Sequence, residues 1–416
     1  MSSSLELITI GTELLLGFTL DTNGAEIGRA LANIGVRITR RTSVSDDPDA
    51  IRDAVSGALA RTGMVLTTGG LGPTADDITK RVVAEFFGMP LDFQQEIWES
   101  IVARFTRIGR VPSAANRSQA EVPRGGTVLP NRWGTAPGLW LEGDPGIAIM
   151  LPGVPTEMRM LLEHEVVPRL SARADGTIIR SRTIRTAGIA ESSLAERIGP
   201  IEEELKPLSL AYLPGTHGVD LRVTSWNLPA AEADRRLLEI AVVLRQRAGE
   251  FVFGEDDDDL ARLVLDAARA ARVRIATAES CTGGLVGGRL TAIPGSSDVF
   301  VGGIIAYDDA VKREQLGVPS SLLAQHGAVS EAVARAMAEG AAALLGVEAS
   351  VAVTGIAGPG GGTEEKPVGL VWFAVSVKGV TSAARFLVPG NREDIRARAA
   401  QMALFNLRKA LISAGA

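Results

Sequence analysis

Strand and helix patterns alternate along the first part of the chain with almost nothing between them. "LELITIG" (residues 5–11) has the branched, apolar character of a strand, and "TNGAEIGRALANIG" (22–35) has the spacing of a helix stopped by Gly35. "VRITRRTSV" reads as a strand, "DPDAIRDAVSGALART" as a helix, and "GMVLTTGG" as a buried strand entering glycines. "GIAIMLPGVP" is a further buried strand, followed by the helix "TEMRMLLEHEVVPRL". Alternation at this spacing predicts parallel strands with helices on both faces, the doubly wound arrangement.

The pattern changes near Leu170 and returns after residue 256. In between, "TIIRSRTIRTAG", "LSLAYLP" and "VDLRVTSW" read as strands, and "AESSLAERIGPIEEEL" and "AAEADRRLLEIAVVLRQRAG" as helices. The run Asp256 to Asp259 is expected to cap the helix "LARLVLDAARAARV". Beyond it, "VRIATAES", "VFVGGIIAY", "ASVAVTGIAG" and "GLVWFAVSV" are strands, and "SEAVARAMAEGAAALLG" and "REDIRARAAQMALFNLRKAL" are helices. The expected fold class is α/β. Two doubly wound α/β domains, residues 1–169 and 257–416, are joined by a small α+β domain, residues 170–256.

The bulk numbers exclude several functions. With 416 residues, 46% of them hydrophobic, the chain has ample core for two or three domains. A net charge of -6 without a Lys/Arg block disfavours direct nucleic-acid binding or a membrane surface. Aromatics at 4% leave few stacking platforms for bases. A single cysteine excludes an intrachain disulfide and any Cys-rich zinc site, so a cytoplasmic location is expected. Neither a secretory leader nor an apolar run of membrane-spanning length is recognisable.

"TTGGLGPTADDITKRVVAEFFG" (67–88) is a strand, a glycine loop and an amphipathic helix. Gly69, Gly70 and Gly72 let backbone N–H groups approach phosphate oxygens. Asp76 and Asp77, expected in the first helical turn, either complement the helix dipole or hold a divalent metal bridging two phosphates. Loops carrying Glu13, Asn23, Asn131 to Gly138, and Glu157 are expected at the same sheet edge, where open parallel sheets bind ligands.

"ATAESCTGG" (276–284) sets Ser280 beside Cys281 at a strand-to-helix turn. Either can be a nucleophile there, because a helix N-terminus stabilises negative charge; equally, Ser280 can be a cap and Cys281 a core residue. Two bases are available. His326 is the only histidine of this domain, and Lys312 follows the strand that ends at Tyr307. Arg313 beside Lys312 favours the neutral amine that a serine–lysine pair needs. "VTGIAGPGGGTEEKPVG" (353–369) can wrap a flat ring or a phosphate, and Arg392 and Arg396, one helical turn apart, can grip a phosphate monoester.

These segments together resemble one family. "IGTELLLG", "DTN", "TTGGLGPTADDIT", "NRWGTAPG" and "LPGVPTEM" look like the N-terminal domain of the competence/damage-inducible CinA family, which is related to the MoaB/MogA proteins. The resemblance implies a metal-dependent ADP-ribose pyrophosphatase. Gly69, Gly70, Leu71, Gly72, Pro73, Thr74, Glu13, Asn23, Asn131, Gly138 and Glu157 would surround the diphosphate, and Asp76 and Asp77 would hold Mg²⁺ or a similar ion. "AESCTGG", "IIAYDDAVK", "VTGIAGPGGG", "PVGLVWFAV" and "GNREDIR" look like the C-terminal domain, which is similar to stand-alone nicotinamide-nucleotide amidases.

The second resemblance implies deamidation of nicotinamide mononucleotide without a cofactor. Ser280 would be the nucleophile and Lys312 the base, with Tyr307 nearby. Cys281, Thr282, Gly283 and Gly284 would supply oxyanion N–H groups, and Thr354, Gly355, Gly358, Arg392 and Arg396 the substrate pocket. Asn391 stands where the family usually has aspartate. The expected partners are pyridine nucleotides and ADP-ribose-like diphosphates, with no nucleic acid or membrane, in a homodimer. The alternatives are an amidase whose first domain only binds a pterin or nucleotide, and a non-enzymatic partner in competence or DNA damage.

Overall fold

The computed structural model describes residues 4–173 and 177–415. The first sheet has six strands in the order β2-β1-β3-β8-β7-β6. They are β1 (Ser4–Ile10), β2 (Arg37–Val44), β3 (Met64–Thr68), β6 (Thr127–Leu129), β7 (Gly138–Gly143) and β8 (Gly146–Leu151). The first four in that order are parallel, β7 runs antiparallel to β8, and β6 runs antiparallel to β7 and so along the first four. A separate antiparallel pair, β4 (Leu91–Phe93) and β5 (Glu121–Pro123), lies between them in the chain.

The helices of this domain are α1 (Thr12–Leu15), α2 (Thr22–Ala32), α3 (Pro48–Thr62), α4 (Thr79–Phe86), α5 (Gln95–Arg107), α6 (Pro155–Leu161) and α7 (Val167–Ser171). Strand alternation sorts the core into two layers. Ile8, Val55, Val65 and Val82 fill one face and Leu7, Ile27, Leu66 and Met158 the other, all buried. Each such side chain contributes about 1.5–3 kcal/mol by leaving water. Asp21 and Asp47 cap α2 and α3 by accepting backbone N–H groups. One expectation fails here: α4 starts only at Thr79, so Asp76 and Asp77 lie in the turn before the helix.

The central sheet has the order β10-β11-β9-β12. Its strands are β9 (Thr177–Thr186), β10 (Ser209–Gly215), β11 (Gly218–Pro229) and β12 (Val252–Glu255), with helices α8 (Glu191–Ile198), α9 (Glu202–Leu205) and α10 (Ala230–Ala248).

The last sheet has the order β14-β13-β15-β16-β17. It comprises β13 (Ile275–Glu279), β14 (Phe300–Ile305), β15 (Ala349–Gly355), β16 (Leu370–Val377) and β17 (Val380–Leu387). Around it lie α11 (Leu260–Ala271), α12 (Leu285–Thr291), α13 (Asp309–Glu314), α14 (Ser320–His326), α15 (Glu331–Leu345) and α16 (Arg392–Gly415). Asp259 caps α11 through the N–H groups of Ala261 and Arg262, the role expected of the aspartate run. Helices cover both faces, with Val264, Leu290 and Leu404 buried in one layer and Val333, Met337 and Ala341 in the other.

β13, β14 and β15 are parallel, but β16 runs antiparallel to β15, and β17 antiparallel to β16. The connection from β15 to β16 is a glycine loop without the helix a parallel crossover usually carries, and β17 returns through a tight turn at Lys378 and Gly379. The chain folds as two compact units, residues 1–180 with 224–236 and residues 181–223 with 237–416. No helix among the described residues is long and apolar enough to cross a membrane.

Candidate functional site

Three parallel strands of the last sheet end side by side. Ser280 directly follows β13 and donates its N–H to Val353 O of β15 at 2.9 Å, while Ala306 N–H, just past β14, bonds Glu279 O at 2.8 Å. The Ser280 turn, Tyr307 and Thr354 therefore share one edge. Gly284 has φ +95° and a Cβ there would meet Ile305 Cδ1 at 3.1 Å, so only glycine fits without strain.

The turn is organised by a residue to which sequence reasoning gave no role. Glu279 is buried, and its carboxylate accepts N–H groups from Gly284 (2.9 Å), Val286 (3.1 Å) and Gly287 (2.8 Å). It satisfies the open donors at the start of α12, whose N-cap is Gly284, so Ser280 is not the cap. Gly283 N–H bonds Ser280 O at 3.1 Å. Of the four expected oxyanion donors, Gly283 and Gly284 are thus engaged, and Cys281 and Thr282 keep N–H groups that bond no oxygen among the described residues. The available signal was the acid directly preceding the serine at a helix start.

Cys281 is 5% exposed and packed in the core. Burial pushes its thiol up to about 12, the neighbouring Glu279 charge adding to this and Arg396 opposing it. At neutral pH it is a thiol, not a nucleophilic thiolate.

Lys312 is 1% exposed, and its amine donates to Tyr307 O and Asp309 Oδ1, both at 3.1 Å. No hydrogen bond joins it to Ser280. The expected free amine is an ion-pair member here, because a buried ammonium takes the carboxylate in reach one turn back on α13. Arg313, expected to act on Lys312, pairs with Glu314 at 3.1 Å. His326 sits exposed at the end of α14, and no hydrogen bond joins it to Ser280.

The start of α16 binds these parts together. Arg392 donates to Gly358 O at 2.6 Å and to the Tyr307 hydroxyl at 3.0 Å. Arg396 donates to Cys281 O at 3.2 Å and Thr282 O at 3.0 Å. The two arginines therefore hold different segments, Arg392 spanning Tyr307 and the glycine loop and Arg396 fixing the serine turn. Thr354 is fully buried and its hydroxyl donates to Ala328 O at 2.8 Å, so it ties the end of β15 to the segment after α14. Gly355 ends β15 where a Cβ would approach Leu370 O at 2.8 Å. Asn391 Oδ1 accepts from Glu393 N–H (2.9 Å) and Asp394 N–H (3.0 Å), the capping work an aspartate would do. Asn391→Asp is accordingly expected to raise stability by about 0.5 kcal/mol, read as a denaturation midpoint, without altering the pocket.

At the corresponding edge of the first sheet the glycine loop follows β3. Gly70 has φ +67° and a Cβ there would overlap Thr79 Oγ1, so the loop lies against the start of α4. Asn23 Nδ2 donates to Gly153 O at 2.8 Å and Thr68 Oγ1 at 3.2 Å, while its buried Oδ1 has no partner among the described residues. Asn131 Oδ1 accepts from Trp133 and Gly134 N–H groups at 2.9 and 2.8 Å, and its amide donates to Glu157 Oε2 at 2.5 Å. Burial raises Glu157 above the usual carboxylate range against these hydrogen bonds.

Other expected ligands differ. The Leu71 side chain is 5% exposed in the core, and Pro73 has no N–H to donate. Gly138 begins β7, opposite Leu129. Glu13 lies exposed on α1. Asp77 turns back on its own loop, accepting Thr74 N–H at 2.8 Å and the Thr74 hydroxyl. Asp76 is exposed, and the Thr74 hydroxyl lowers its pKa. Among the described residues no group of three or more His, Cys, Asp or Glu is arranged to hold a metal ion. Asp76 and Asp77 fit a divalent ion only in the manner of magnesium, one or two carboxylates completed by substrate phosphates.

Lys80, the second residue of α4, has no sequence signature of its own. Its amine donates to Ser118 O, and burial drags it down to about 8 despite Glu121 and Asp77. A folded-state value below the ordinary one means the unfolded chain binds the proton more tightly. Stability therefore rises with pH between about 8 and 10.5 and is lost as pH falls through that window. In Lys80→Met this slope should vanish, which denaturation midpoints at pH 7.5, 9 and 10.5 check.

The sheets, their glycine turns and the matched sequence segments together define a multidomain α/β protein with a molybdopterin-binding-type first domain. Residues 6–172 match the probable molybdopterin binding domain, 181–254 the damage-inducible protein CinA KH domain, and 257–411 the CinA C-terminal domain. A CinA-like protein of Gemmatimonas aurantiaca is 54% identical over 410 residues, covering 98% of this chain and 96% of its own length. A putative competence-damage inducible protein of Symbiobacterium thermophilum is 42% identical over 419 residues, 98% of each chain. The solved competence/damage inducible protein CihA from Agrobacterium tumefaciens is 41% identical, covering 38% of this chain and 94% of its own, with a TM-score of 0.36. The chain belongs to the CinA family.

Proposed function

We propose that this chain is a two-site hydrolase of pyridine-nucleotide breakdown. The C-terminal domain deamidates nicotinamide mononucleotide to nicotinate mononucleotide and ammonia, and the N-terminal domain splits ADP-ribose-like diphosphates. One observation carries the first reading. Arg392 joins Tyr307 to the glycine loop while Arg396 holds the carbonyls of Cys281 and Thr282, so four separate segments meet around Ser280.

Ser280 Oγ attacks the carboxamide carbon, and the carbonyl electron pair moves onto oxygen, where the Cys281 and Thr282 N–H groups stabilise it. Lys312 takes the hydroxyl proton and returns it to the departing ammonia. This requires the Lys312–Asp309 pair to open. Asp309, 55% exposed, can take the proton to solvent. Water then attacks the acyl-serine by the reverse proton path. Arg392, bonded to Tyr307 and Gly358 without substrate, turns to the phosphate monoester, and Arg396 keeps the turn in place.

In the N-terminal domain, loop N–H groups around Gly70 to Thr74 receive the phosphates, and Lys80 lies behind them. Asp76 and Asp77 would hold a divalent ion, which supplies charge neutralisation on the diphosphate. Glu157, half-buried and held by Asn131, would accept a proton from attacking water.

The test is ammonia release from nicotinamide mononucleotide and AMP release from ADP-ribose by the full chain, with Mg²⁺ and with EDTA. Ammonia release should ignore EDTA and AMP release should need Mg²⁺. No ammonia sinks the amidase reading, and no AMP with any divalent ion sinks the other.

A further inference from the structure

We propose that the small cavity walled by Arg185, His217, Asp259, Arg289 and Gln401 is a binding site for inorganic phosphate that carries a proton. All of these residues lie within the second compact unit, and none belongs to either site described above, so the inference stands apart from the activities proposed for them.

The cavity has a volume of about 100 Å³, the space of roughly three water molecules. That suits a small tetrahedral ion and excludes a nucleoside. Arg185 comes from β9, His217 from the turn between β10 and β11, Asp259 from the N-cap of α11, Arg289 from the last turn of α12 and Gln401 from α16. Gln401 is 2% exposed and fully used: its oxygen accepts Arg289 Nη1 at 2.7 Å and its amide donates to His217 O at 2.7 Å. Arg185 lies over the Phe253 ring, donating Nη1 to Asp258 O at 2.7 Å and Nε to Asp220 Oδ1 at 3.5 Å. The remaining donors bond nothing among the described residues: Nε and Nη2 of Arg289, Nη2 of Arg185 and the His217 imidazole.

These cations lack counter-charge. Burial depresses the Arg289 guanidinium; Asp259 opposes this and Arg185 adds to it. Burial also holds His217 below its ordinary range, with Arg289 and Arg185 adding to this against Asp259 and Asp220. An anion among them relieves both. Asp259 decides which anion. Its Oδ1 caps α11 by accepting Ala261 N–H at 2.8 Å and Arg262 N–H at 3.2 Å, while Oδ2 has no hydrogen bond or ion pair among the described residues. A carboxylate only accepts, so it repels a bare oxyanion and takes a hydrogen bond from a P–OH group. Inorganic phosphate at neutral pH always carries a hydroxyl. Sulfate carries none, and a phosphate monoester is mostly without its last proton. Guanidinium donors facing one free carboxylate oxygen therefore select the protonated ion.

The test follows the imidazole resonances of the full chain, labelled in histidine, during titration with phosphate or sulfate at equal ionic strength. The chain has 3 histidines, and His217→Gln assigns the one at the cavity. Phosphate should move the His217 signal, raise its pKa and bind at least about tenfold more tightly than sulfate. His164 and His326 should stay in place, which certifies the fold. Asp259→Asn keeps a good helix cap and puts an N–H donor where the free oxygen stood, so sulfate should then match phosphate within about threefold. Arg289→Met should weaken phosphate by about tenfold or more. A His217 signal that ignores phosphate overturns the site. An equal response of wild type to both anions, or unchanged selectivity in Asp259→Asn, overturns recognition of the proton. AMP bound as tightly as phosphate overturns the inorganic ion in favour of a monoester.

Discussion

Ser280→Ala should abolish ammonia release from nicotinamide mononucleotide, a loss of about a thousandfold or more, while Cys281→Ala stays within about threefold of wild type. The two side chains are neighbours in the same turn, and what separates them is environment. The thiol is held protonated, up to about 12, by burial in the core layer, whereas Ser280 follows β13 at the strand edge and its hydroxyl bonds no atom of the described residues. Lys312→Met should match Ser280→Ala, since it preserves the buried aliphatic stem and removes only the amine. Circular dichroism and melting of each variant separate lost chemistry from lost fold. Activity in Ser280→Ala, or its loss in Cys281→Ala with the fold intact, would transfer the nucleophile to sulfur.

Glu279→Gln carries the second largest expected effect. The carboxylate receives three backbone donors with two oxygens, and an amide would present one acceptor and one donor to the same N–H groups. A mismatched donor at a buried helix start costs about 1–3 kcal/mol and would tilt the turn. The Cys281 and Thr282 N–H groups, which the proposed mechanism uses for the oxyanion, would then be misplaced. The expected signature is kcat down roughly a hundredfold with KM within about twofold of wild type, the pattern of an interaction made in the transition state. Amide hydrogen exchange at Gly284 and Gly287 should quicken in the same variant. A change in KM alone, with those amides still protected, would make Glu279 a remote structural residue.

The fold class was legible because hydrophobic patterning is local. Runs such as "VRIATAES" and "SEAVARAMAEGAAALLG" declare strand and helix within themselves, and β13 and α15 formed where those runs stand. The reversed direction of β16 was less legible, since direction depends on the kind of connection and not on the strand. Among site residues, the motif segments around Ser280, Tyr307, Gly358 and Arg392 do meet at one edge. Glu279 and Lys80 were not singled out, because a carboxylate or a lysine near a helix start has a solvated reading until its burial is known.

Residue order by itself determined the alternation of strands and helices, the two glycine turns, and which hydroxyl and thiol stand side by side. Only tertiary structure decided how those groups behave. It buried Cys281, turned Asp77 back onto Thr74, paired Lys312 with Asp309, and split Arg392 from Arg396 between different partners. The reason is that propensity and periodicity act over a few neighbouring residues. Desolvation and hydrogen bonding, in contrast, act through whatever the folded chain brings within a few ångströms, and that is set by packing of segments far apart in sequence.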